Sequence, residues 1–136
     1  LELVEAHLAD GREGFSRSMN ELVNKGLRFA IDDFGTGYSS LSRLASLPAD
    51  IIKIDRRFIR SIDENETDQA VARAMVQIAH ALGRHCTAEG VETAAQLRVL
   101  AELGVNTYQG WLFSKATPNA EFEQLIAGSP IRIPDA

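Results

Sequence analysis

Short apolar runs alternate with longer amphipathic stretches along the chain, five times over. "LELVE" (1–5), "LRFAIDD" (27–33), "ADIIKID" (49–55), "HCTAEG" (85–90) and "NTYQGWLF" (106–113) have the length and apolar character of strands. Between them the pattern predicts helices over about 12–25, 38–46, 67–83 and 94–103, with Gly26 and Gly104 closing two of them, and a last helix over about 119–127. In the helix over 67–83, Ala70, Val71, Ala74, Val76, Ile78, Ala81 and Leu82 form a broad apolar stripe. Strands alternating with helices predict an α/β fold with a parallel sheet, either open and doubly wound or part of a (β/α) barrel. No GxGxxG or GxxxxGK[ST] loop is present to favour the open nucleotide-binding sheets.

The polar positions interrupt this pattern in one kind of place. Glu2, Glu5, Asp32, Asp33, Lys53, Asp55, Glu89, Glu92 and Gln109 all fall on a predicted strand or just past its C-terminal end. In a parallel barrel those ends share one mouth, the face on which barrel enzymes build their sites.

Composition narrows the partners. With 136 residues, 45% hydrophobic content and a net charge of −5, the chain has the size of a single soluble domain and lacks a basic surface for nucleic acid or an anionic membrane. A lone cysteine, Cys86, excludes an internal disulfide and fits a reducing, cytoplasmic setting as a small buried hydrophobe. No apolar run is long enough to span a membrane.

Four carboxylates, Glu2, Asp32, Asp33 and Glu89, are too many to share one mouth without a cation, and oxygen donors of this kind suit Mg²⁺ or Mn²⁺. A carboxylate can bridge two such ions about 3.5–4 Å apart, and the pair can activate water against a phosphoryl group. Asp32 is the candidate bridge and Asp33 the ligand of the second ion; both reach the mouth only if the strand ends there, a departure that Gly35 and Gly37 make cheap. The same stretch, "DDFGTGYSS", also reads as a plain turn leading into a helix. Lys53, in "IIKID", either holds the attacking water and offsets substrate charge or forms a salt bridge to Asp55 or another carboxylate. Glu89 is a metal ligand, a general base or a carboxylate at the entry of the next helix, where Glu92 and Thr93 are placed to cap. Gln109 can hydrogen-bond a metal-bound water or the substrate. His7, His80 and His85 share no ligand spacing, and Trp111, Phe113 and Phe122 fit packing at least as well as ligand stacking.

"LELVE", "DDFGTGYSSL", "IIKID", "AEGVET" and "QGWLFSKA" stand in the order and approximate spacing of the EAL domain, and the chain resembles that family over nearly its whole length. The resemblance implies a (β/α)8 barrel of TIM type, two Mg²⁺ or Mn²⁺ ions, and hydrolysis of cyclic di-GMP to linear pGpG in bacterial signalling of biofilm formation and motility. It matches Glu2, Asp32, Asp33 and Glu89 to metal-site residues and Lys53 to the lysine beside the catalytic water. Gln109 matches the glutamine that orders the site. Glu5 is similar to the glutamate that steadies the Gly-rich loop, 34–40, which carries Gly35 and Gly37 and which the family links to homodimerisation and control. Fusion to a diguanylate cyclase-like or sensory domain, which could anchor the parent at a membrane, is common in the family.

The sequence has no EAL tripeptide, so the family's first metal-ligand glutamate, the arginine just after it and a ligand asparagine have no counterpart. Residues 1–136 are therefore expected to be the C-terminal part of one domain, about five of eight βα units, forming an open or partner-completed barrel that is inactive by itself. A non-catalytic cyclic di-GMP receptor is the alternative from another class. An unrelated barrel enzyme acting on a sugar phosphate is a third, for which "QGWLFS" supplies no convincing phosphate loop.

Overall fold

The computed structural model describes residues 1–4, 14–36, 41–119 and 121–123. Five parallel strands alternate with helices: β1 (Glu2–Val4), α1 (Phe15–Val23), β2 (Ala30–Phe34), α2 (Leu41–Ser46), β3 (Ile51–Ile54), α3 (Arg56–Ile59), α4 (Glu66–Ala81), β4 (His85–Glu89), α5 (Ala94–Leu103) and β5 (Thr107–Gln109). Spatial order follows chain order, β1-β2-β3-β4-β5, every neighbouring pair being parallel. Sequential parallel strands joined by crossover helices are the wall of a (β/α) barrel, here a partial one. The predicted last helix falls largely outside the described residues.

Strand β3 shows the layering: Ile52, Lys53 and Ile54 are all buried, so both faces of the sheet are covered. Ile31, Ile52, Ile54, Cys86 and Ala88 join Leu44, Ile59, Met75, Ala79 and Leu100 in one core. Helix starts are set by side chains. Asn65 accepts from the backbone N–H of Thr67 and Asp68 to open α4, and Thr93 with Gln96 forms a capping box at α5. Glu92 contributes only its backbone N–H, which donates to Gln96 Oε1.

Three expectations need correction. The buried face of α4 is Ala72, Met75, Val76 and Ala79, while Ala70, Ala74 and Ala81 face solvent. Alanine is apolar enough to enter a predicted stripe and small enough to sit outside one. Helix α3 interrupts what read as loop, started by Asp55, whose carboxylate accepts from Arg57 N–H at 2.8 Å. Strand β5 stops at Gln109 rather than Phe113, because Gly110 packs its backbone on Val91 so closely that a Cβ there would overlap the Val91 backbone. Val91 N–H donates to Gln109 O and Leu112 N–H to Val91 O, both at 3.0 Å, pinning the turn after β5 to the end of β4.

Candidate active site

Lysine 53 organises the mouth. Its ammonium lies 2.6 Å from Glu2 Oε1, 2.6 Å from Glu89 Oε1 and 3.2 Å from Asp32 Oδ1, so β1, β2, β3 and β4 each send one charged side chain to the same point. Asp55 is not its partner. Burial by itself would depress the lysine pKa, but the attraction of the Glu2, Glu89 and Asp32 carboxylates outweighs it and holds the group above its ordinary value. Glu89 is thus committed to Lys53 rather than to the entry of α5, which Thr93 caps.

Asp33 is displaced from this cluster by a local kink. Its φ of 55° is the one left-handed value at a non-glycine among the described residues, and the β2–β3 register shifts between Ile31 and Phe34. The departure from regular strand geometry therefore sits on Asp33 itself, a residue type that tolerates this region, and the strand continues to Phe34. The Asp33 side chain hydrogen-bonds Asp55, and this bond, with burial and the charge of Asp32, pushes its pKa up. Burial pushes Asp55 the same way, yet the Arg57 backbone N–H, Asp33 and the Arg57 guanidinium together bring it below its ordinary value. The two carboxyl groups therefore move apart in acidity, Asp33 upward and Asp55 downward. Asp55 as the partner of Asp33 was not foreseen, although its place two residues after Lys53 was the available signal.

Gln109 ends β5 in register with Glu89 and is exposed. Gly35 (φ 92°) lies against Met75 and Phe58, where a Cβ would overlap the Met75 methyl group. Glu5 and Gly37 lie outside the described residues. Among the described residues no group of three or more His, Cys, Asp or Glu is set around a common ion position; the Lys53 ammonium lies among the three carboxylates instead. The donors nonetheless suit a hard divalent cation in kind, and buried Asp32 Oδ1 has acceptor capacity to spare, being near Lys53 but without a hydrogen-bond partner.

The sequence model of the EAL domain matches residues 1–116. The chain belongs to the EAL-domain family. The cyclic di-GMP phosphodiesterase PdeR of Escherichia coli is 41% identical over 124 residues, covering 91% of this chain and 19% of PdeR. The bifunctional diguanylate cyclase/cyclic di-GMP phosphodiesterase MucR of Pseudomonas aeruginosa is 40% identical over 127 residues, 93% of this chain and 18% of MucR. The MucR phosphodiesterase, solved in complex with cyclic di-GMP, superposes with a TM-score of 0.84 at 38% identity over 90% of this chain and 49% of that one. BlrP1 of Klebsiella pneumoniae, solved with manganese and cyclic di-GMP, gives a TM-score of 0.77 at 37% identity over 84% of this chain and 29% of that one. The chain thus spans under a fifth of the length of these two curated relatives. Among its described residues no helix is long and apolar enough to cross a membrane.

Proposed function

We propose that residues 1–136 are the C-terminal part of an EAL-type (β/α)8 barrel that hydrolyses one phosphodiester of cyclic di-GMP to give linear pGpG. The observation that carries this reading is the convergence of Glu2, Asp32 and Glu89 on Lys53, within 2.6–3.2 Å, from four neighbouring parallel strands. Glu2, Asp32, Asp33 and Glu89 would hold two divalent cations, Mg²⁺ or Mn²⁺, which when bound supply water activation and charge stabilisation at the phosphoryl oxygens. Manganese in the BlrP1 complex supports the choice of ion.

The residues of the chain supply position and protons. Lys53 keeps its positive charge across the neutral range and offers ammonium protons to the attacking water and to the substrate phosphate. Glu89, already hydrogen-bonded to that ammonium, is placed to accept a proton from the water. Gln109, beside Glu89 in register, hydrogen-bonds water or substrate as a neutral group. Glu5, Gly35 and Gly37 steady the Gly-rich loop, through which the parent forms a homodimer. The parent acts in the cytoplasm, with a cyclase-like or sensory domain as its neighbour, an arrangement that bifunctional MucR supports. The isolated chain is proposed to be inactive, since metal ligands from earlier strands are needed to keep two ions in register.

One observation favours the receptor reading: no three described carboxylates surround a common ion position. Equilibrium dialysis and anion-exchange chromatography of cyclic di-GMP, run on the parent protein in Mn²⁺, separate the two. Formation of pGpG supports the phosphodiesterase, binding without product supports the receptor, and absence of both binding and product overturns both readings.

A further inference from the structure

Among the described residues the buried polar side chains are Lys53, Arg84 and Gln96. Lys53 belongs to the carboxylate cluster, and Arg84 directly precedes β4 at its far end, where it donates to Leu44 O and Leu47 O. Gln96 lies in the first turn of α5, just past the end of β4 that carries Glu89, and both ends of its amide are used. Its Oε1 accepts from the backbone N–H of Glu92 at 2.8 Å and of Thr93 at 3.1 Å, while its Nε2 donates at 3.1 Å to Arg60 O, the C-cap carbonyl of α3. A helix cap needs only the first end. Glutamate at this place in a capping box accepts the same N–H groups and adds a favourable charge at the helix N-terminus, but as a carboxylate it has no proton to give Arg60. The donor end of the amide therefore serves something other than α5.

It serves the exit of β4. The β3–β4 ladder closes at Ile54 and Ala88, one residue short of Glu89. Beyond that pair the chain leaves β3 for α3 and β4 for the turn 90–93. The two exits are joined by Gly90 (φ 71°), packed so closely on Arg56 that a Cβ would overlap the Arg56 side chain, and by Gln96 on Arg60. On its other side the same turn is tied to β5 through Val91. We propose that Gln96 is a positioning residue for Glu89: by bridging Arg60 O to the turn after β4, it fixes the placement of Glu89 against Lys53 on which proton transfer from the attacking water depends. This rests on the phosphodiesterase reading and adds to it a buried residue that acts through the backbone alone. Misplacing a reacting group by about 1 Å costs on the order of 100-fold in rate, so loss of the bridge falls on turnover rather than on binding.

Initial rates of pGpG formation in Mn²⁺ over a range of cyclic di-GMP concentrations, on the parent protein, test this. Gln96→Glu keeps the acceptor end and turns a carboxylate oxygen towards Arg60 O, Gln96→Met keeps the volume and loses both ends, and Thr93→Ala weakens the cap and leaves the bridge. Circular dichroism melts set the assay temperature below every midpoint. The expected result is a kcat about 10-fold or more lower in both Gln96 variants with KM within about 3-fold, and a Thr93→Ala kcat within about 2-fold of wild type although its midpoint falls. Should one Gln96 variant not fold, the other decides; failure of both makes the residue a part of the core and overturns the inference. A wild-type kcat in a folded Gln96 variant, with or without a rise in KM, or an equal fall in Thr93→Ala also overturns it, while wild-type turnover leaves the phosphodiesterase reading standing. Absence of pGpG from the wild type overturns both.

Discussion

Replacing Lys53 by methionine keeps the apolar stem in its buried strand and deletes the ammonium that lies among Glu2, Asp32 and Glu89. The Glu2 side chain is 60% exposed, so its contact behaves as a surface pair and contributes about 0–1 kcal/mol. Glu89 is 21% exposed and accepts a 2.6 Å charge-assisted bond, which is the larger part at about 1.5–3 kcal/mol. Asp32, 20% exposed at 3.2 Å and poorly directed, adds a fraction of that. Removing the buried ammonium also removes its desolvation cost, which keeps the net loss near 2–4 kcal/mol, below the ~3–5 kcal/mol of a fully buried pair. For a chain of 136 residues this lowers the thermal midpoint by roughly 6–16 °C. Because the folded lysine pKa is raised, the wild-type advantage is complete below the ordinary lysine value near 10.5 and fades only at higher pH. Thermal denaturation followed by circular dichroism at neutral pH measures the gap. A Lys53→Met midpoint equal to wild type there would refute the reasoning.

Gly110→Ala drives a Cβ into the Val91 backbone and breaks the two 3.0 Å hydrogen bonds that tie β5 to β4, a loss of about 2–3 kcal/mol expected in urea denaturation. Asp33 binds its proton more tightly folded than unfolded, so its contribution to stability falls as pH rises from 3.8 through the folded value; Asp33→Asn removes that fall, visible as a flatter stability profile in urea titrations over this range. Asp55 works in the opposite sense, stabilising above 3.8 and losing that contribution as pH falls. Thr93→Ala deletes the α5 capping box and costs about 1 kcal/mol by the same denaturation assay. Burial pushes the Cys86 thiol up to about 12, so iodoacetamide at neutral pH labels it only in denaturant, a contrast readable by mass spectrometry.

Element order was legible because strand and helix periods alternate cleanly, and the caps at Thr93 and Gly104 marked ends that the structure keeps. What escaped the sequence depended on three dimensions. The face of α4 turned on Met75, whose neighbours Gly35 and Phe58 lie far away in sequence, while the alanines that looked apolar were free to face water. Helix α3 is four residues long, too short for any periodicity to announce it. Lys53 stood out as a charge in an apolar strand whose ion-pair partner read as Asp55 or another carboxylate, and the fold settles on others, bringing Glu2, 51 positions away, to 2.6 Å. The kink at Asp33 was sought in the following glycines because glycine is the usual bearer of positive φ; here an aspartate carries it. Trp111 illustrates the remaining limit, since an aromatic in a mixed segment gives no sign whether it is covered.

The most direct test of the account is the initial rate of pGpG formation from cyclic di-GMP by the parent protein in Mn²⁺, measured by chromatography for wild type and Asp32→Asn. The account predicts turnover by the wild type and a fall of about 100-fold or more in the variant, the size expected when a group that holds the reacting centre is lost. Equal rates in the two proteins, or no pGpG from a folded wild type, would contradict it.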